Sequence, residues 1–223
     1  ALDAAAEQAK TLTKESGGRN TGVMEDGGVA RALLRDVGGK KVVWLEKSPL
    51  TSRKLDSHSA VAEYIAQHIG EVYTIIESGQ QVYLGEELPD EYTQSGYTSY
   101  LRAKNRSGLR VKNKAVSRLG ELIETATNRR WEKTRHPGSK DAKYGMYRYD
   151  STFAFQTKGS TPKVRAYDVE LLIRNASDGK KYLYDIVGIK ENTTVAFDLQ
   201  QRETRRGGWE AATQDDVSKN SIP

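Results

Sequence analysis

The feature that most constrains this chain is a change in the spacing of its apolar residues. Val111, Ala115, Leu119, Leu122, Ile123 and Ala126 recur at three- and four-residue steps, which marks one face of a helix. From Tyr147 onward the period becomes two: Tyr147, Tyr149, Ser151, Phe153 and Phe155 alternate with polar neighbours, as do Arg165, Tyr167, Val169, Leu171 and Ile173. Asp178-Gly179 is a hairpin turn signal, and Lys181 to Ile189 (KYLYDIVGI) reads as a last strand, apolar on much of both faces. A helix followed by three strands joined by short turns predicts an α+β fold. In it a central amphipathic helix, Val111 to Asn128, packs on a C-terminal three-stranded antiparallel meander.

The N-terminal half supplies smaller elements. Lys41 to Glu46 reads as a strand ended by Pro49, and Asp56 or Ser57 offers a cap for a helix carrying Val61, Ile65 and Ile69. Val72 to Ile76 and Gln81 to Leu84 flank Ser78-Gly79, a hairpin. Glu86 to Ser107, polar and tyrosine-bearing, reads as a long loop with one helical turn. The expected organisation is an N-terminal extension over 1–40, one α+β domain over 41–198, and a disordered linker over 199–223. Both ends read as linkers of a longer polyprotein-like chain, and no signal peptide is visible.

Composition narrows the chemistry. The chain has 223 residues and no cysteine, which excludes disulfides and thiolate chemistry. With only His58, His68 and His136, no metal-ligand cluster stands out, and no cofactor is expected. No apolar run approaches the roughly 20 residues of a membrane-spanning helix, so no membrane partner is expected. Charge is uneven: Arg102 to Arg148 carries 14 Lys and Arg against four Asp and Glu. Such a segment suits a polyanion.

Within it, Arg129, Arg130, Lys140, Tyr144 and Arg148 are candidate nucleic-acid ligands. Arginine and lysine suit phosphate, and tyrosine suits stacking on an unpaired base. Trp131 reads either as a stacking group or, preferentially, as a clamp between helix and sheet. His136, flanked by Arg135 and Lys140, is a candidate general base for a ribose 2′-hydroxyl, its cationic neighbours favouring the neutral imidazole, with Arg135 and Lys143 as candidate catalytic cations. Asp185 needs a cationic partner, expected from a neighbouring strand.

Thr125 to Asp150 (TATNRRWEKTRHPGSKDAKYGMYRYD), with the preceding Glu121 to Glu124 (ELIE) and the later DVELLIRNASDGKKYLYDIVGIK, resembles a module of phage and mobile-element large polyvalent proteins. The resemblance covers residues 61–190. Such modules are grouped with barnase-, EndoU-, colicin- and RelE-like folds, many of them metal-independent ribonucleases and toxins. The resemblance therefore implies an RNase-like sheet, RNA as partner, and other domains of a larger polypeptide. It also implies a cognate inhibitor protein and a place in the bacterial cytoplasm, reached with a phage particle. No family catalytic motif carries over residue by residue, so His136, Arg135 and Lys143 rest on their own chemistry. The rival expectation is a non-catalytic module that docks nucleic acid or protein.

Overall fold

The computed structural model describes residues 34–46, 48–133 and 144–204. The three long C-terminal strands form as their alternation predicts: β6 (Met146–Gln156), β7 (Val164–Asn175) and β8 (Lys181–Glu191), antiparallel throughout. They are not the whole sheet. β1 (Leu34–Val37) and β2 (Lys40–Leu45) form a hairpin whose second strand runs parallel to β6, through Val43, Trp44 and Leu45 opposite Phe153, Ala154 and Phe155. β3 (Val72–Ile75) and β4 (Gln80–Tyr83) form a second hairpin, turning at Gly79, and β4 joins β8 in parallel. β5 (Thr127–Glu132) pairs with the N-terminal half of β6.

The expected three-stranded meander with one central helix is therefore corrected to an α+β fold built on an eight-stranded mixed sheet that curls into a half-barrel. The physical reason is edge protection. The 11-residue outer strands of a bare meander would expose long rows of unpaired backbone groups; β2 and β5 pair along the free edge of β6, and β4 meets that of β8 at Tyr182. β1 lies inside the segment expected to be an extension.

The helices sit between these hairpins in sequence. α1 (His58–Ala66) starts at Ser57, whose hydroxyl accepts from the Ala60 N–H at 3.3 Å. The segment expected to be a loop instead holds α2 (Leu88–Gln94) and α3 (Gly96–Lys104), the latter capped by Ser95. The long helix expected over 111–128 is three pieces: α4 (Arg106–Ala115), a 3-10 turn (Val116–Arg118) and α5 (Leu119–Glu124). Its predicted stripe is nonetheless buried: Ala115, Leu119, Leu122 and Ile123 join Tyr149, Phe153, Val169, Leu171 and Ile173 in the main core. A last helix, α6 (193–204), covers the opposite sheet face at one end, where Val195 and Leu199 meet Val42, Trp44, Ala154 and Ala166.

Candidate nucleic-acid interface

After α5 the chain does not continue as a helix, and so Arg129 and Arg130 do not end one. They lie on β5. Asn128 adopts φ 56°, in the left-handed region that asparagine tolerates better than most residues, and makes a bulge in the β5–β6 ladder. Thr127 faces Asp150, yet Arg130 rather than Arg129 faces Arg148, so one extra residue is absorbed on β5. The two arginines consequently serve different faces.

Arg130 joins the outer face. Its guanidinium donates to Asp150 at 2.6 and 2.9 Å and to Glu170 at 2.9 Å. Arg148, beside it on β6, donates to Glu170 at 2.9 Å and to Glu132 at 2.6 Å. The Arg130 hydrogen bonds hold the Asp150 carboxyl below its ordinary range. Two guanidiniums thus stand among three carboxylates in a self-pairing ladder. Both are already engaged by acids rather than held out for a phosphate.

The other face of the same strand pair has the opposite character. Trp131 is 59% exposed, so it clamps nothing. Its indole is nevertheless held. Nε1 donates to the Tyr144 carbonyl at 3.3 Å, and the ring edge lies on Gly145, where a Cβ would stand 2.7 Å from Nε1. Gly145 also has φ +88°, a conformation open to glycine at little cost. Tyr144, 49% exposed, stands beside this platform. Tyr147 is opposite Trp131 in the ladder, with the Arg129 guanidinium 5.7 Å and the Lys181 ammonium 6.0 Å from its ring. Among the described residues, neither cation forms a salt bridge with a carboxylate.

Of the residues chosen from sequence, the structure thus places Arg129 beside Tyr147 and the Tyr144 carbonyl on the Trp131 indole, and sends Arg130 and Arg148 to the ladder. Arg135, His136, Lys140 and Lys143 lie outside the described residues. Trp131 as platform, Gly145 and Lys181 were missed. The signal was Gly145 directly before a strand and two residues from an aromatic alternation. Nor is the basic segment one face: Arg110 pairs with Asp56, Arg118 with Glu121, and Lys112 is fully buried.

Lys112 partners Asp185, which was expected to find its cation on a strand. Nζ lies 2.5 Å from Asp185 Oδ1, with the two side chains 0% and 1% exposed. Nζ also donates to Thr98 Oγ1 and to the Tyr92 carbonyl, and sits 3.9 Å from the Tyr92 ring centre. Burial pushes the Asp185 carboxyl up and the Lys112 ammonium down. The pair is sealed from solvent, so it ties α4 to β8 rather than meeting a ligand.

No helix among the described residues is long and apolar enough to cross a membrane. No protein-family model, curated protein or solved structure matches the chain.

Proposed function

We propose that this domain binds single-stranded nucleic acid, RNA before DNA, by stacking unpaired bases on Trp131 and holding the backbone with Arg129 and Lys181. The observation that carries this is an indole more than half exposed yet fixed by a glycine and a carbonyl. An apolar ring of that size left in water and pre-ordered suits sequence-tolerant stacking, because every base has a π-face. Among the described residues the nearby cations form no salt bridge with a carboxylate, unlike those of the ladder, and this favours their use on phosphate.

Fluorescence anisotropy of a labelled single-stranded RNA tests it. Trp131→Ala should weaken binding by about 1–3 kcal/mol, roughly 5- to 150-fold. With two phosphates neutralised, log K should fall against log salt with a slope of about −1.4, and Arg129→Ala with Lys181→Ala should bring that slope near zero. Unchanged affinity in Trp131→Ala would sink the proposal.

Cleavage is the catalytic form of the same reading. It assigns the base to His136 and phosphate contacts to Arg135 and Lys143, and its mark is 2′,3′-cyclic phosphate ends formed in the presence of EDTA and lost in His136→Ala. RNA recovered intact leaves the binding module. The sequence resemblance supports placing that module in a phage or mobile-element polyvalent protein acting in bacterial cytoplasm.

A further inference from the structure

We propose that Tyr149 is the positioning residue behind the phosphate contact of Arg129: its buried hydroxyl steadies the guanidinium, with the tip of the β3–β4 hairpin as support. This rests on the nucleic-acid reading above and assigns the group through which one of its two cations is aimed.

The bulge makes the juxtaposition. Thr127 faces Asp150 and Arg130 faces Arg148, so Asn128 and Arg129 together oppose the single residue Tyr149. The Asn128 side chain leaves toward Asp150, to which its Nδ2 donates at 2.7 Å. Arg129 goes to the other face, where its guanidinium lies 5.7 Å from the Tyr147 ring. Tyr147 and Tyr149 stand two apart on β6 and so share that face. The hairpin tip holds the arrangement from the far side. Glu77 Oε2 accepts from the Asn128 N–H at 3.0 Å, and Ser78, next in the chain, stands beside the Tyr149 hydroxyl.

The hydroxyl is the anomaly. Tyr149 is 0% exposed, and its ring belongs to the main core with Phe153 and Leu171. A phenylalanine would fill the same space. Yet the phenol oxygen makes no well-formed hydrogen bond among the described residues, and a buried polar group left unpaired is a net cost. Burial pushes its pKa up, while Ser78 and Arg129, both beside it, pull the other way.

A phenol oxygen accepts from a guanidinium N–H and donates its own proton to a hydroxyl. Arg129 and Ser78 are the groups in place for these two bonds. The guanidinium carries five N–H donors in a rigid fork, so one edge rests on the phenol while another meets the phosphate. A phosphate that draws the outer N–H groups of Arg129 thus settles the inner ones on Tyr149, and the orphaned hydroxyl is satisfied in the bound state.

The test follows a labelled single-stranded RNA by anisotropy at several salt concentrations. It uses wild type, Tyr149→Phe, Arg129→Ala, the two combined, and Trp131→Ala, each also melted thermally. Tyr149→Phe should melt no lower than wild type, because it removes an unpaired buried group. It should nevertheless bind RNA about 2- to 10-fold more weakly, the cost of ordering one rotamer-rich side chain. Its salt slope should stay at the wild-type value, since both cations remain. In the Arg129→Ala background the same change should have no effect, which a merely structural role would not produce. Wild-type affinity in Tyr149→Phe, with the Trp131→Ala loss intact, overturns this proposal alone. So does a Tyr149→Phe that melts well below wild type, or one whose loss is the same with and without Arg129. Wild type that binds no RNA, or Arg129→Ala that binds like wild type, removes the underlying phosphate contact and this role with it.

Discussion

The buried Lys112–Asp185 pair offers the sharpest test of how this fold is held. Removing one partner of such a pair costs about 3–5 kcal/mol, because it leaves an uncompensated charge in the interior. Lys112→Met would leave Asp185 with the Ile186 N–H at 2.8 Å and the Ser95 hydroxyl, and would strip Thr98 and the Tyr92 carbonyl of a donor. Asp185→Leu would leave an ammonium at 0% exposure. In a domain of this size each kcal/mol moves Tm by about 2–4 °C, so either single variant should melt roughly 6–20 °C lower. The double variant should not be worse. Burial moves both groups toward their neutral forms despite their contact, so desolvation outweighs their attraction. Replacing both by apolar side chains is then neutral or stabilising, by up to about 4 kcal/mol. Thermal and urea melts of the four proteins form a complete cycle. Single variants within about 1 kcal/mol of wild type would refute the argument, as would a double variant whose loss equals the sum of the singles.

Two further outcomes follow from the β5–β6 pair. Gly145→Ala forces a side chain onto a backbone at φ +88° and into the Trp131 ring edge; RNA affinity measured by anisotropy should fall nearly as far as in Trp131→Ala, while Leu122→Ala, which costs about 2–5 kcal/mol in the core, should leave affinity per folded molecule unchanged. Asp150 has a folded pKa below its ordinary 3.8 because Arg130 donates to it, so its contribution is present above pH 3.8 and is lost as pH falls through the folded value; urea melts below pH 4 should show a shallower acid loss in Asp150→Asn than in wild type.

Much of the architecture was legible because it is local. Alternation in β6, β7 and β8 reports which residues share a sheet face, and Ser57, Ser78-Gly79 and Asp178-Gly179 mark ends and turns through their own backbone preferences. β5 was illegible because Ala126, Arg129 and Arg130 continue the helical spacing of α5, and only pairing with β6 decides against it. α2 and α3 were hidden for a related reason: Leu88, Tyr92 and Leu101 are too few to show a stripe, and capping plus tertiary burial make the helices. The parallel joins of β2 to β6 and β4 to β8 leave no local trace. The site was half legible. Residue types in 129–148 pointed to polyanion chemistry, but the acids that neutralise Arg130 and Arg148 include Glu170, distant in sequence. Charge counted along the chain could not separate those arginines from Arg129.

That separation hangs on a single position. Because a strand alternates its faces, the residue absorbed at Asn128 sets the parity of everything after it on β5. Straightening the ladder with every residue kept would pair Arg129 with Arg148 and Trp131 with Met146, turning Arg129 toward the carboxylates and carrying Trp131 to the ladder side. Removing the extra residue instead would restore regular pairing and leave Arg130 and Trp131 where they are. A side chain at 128 that resists positive φ, a β-branched one above all, is thus a larger event than most substitutions: it exchanges a ligand-facing surface for a self-neutralised one in a single step.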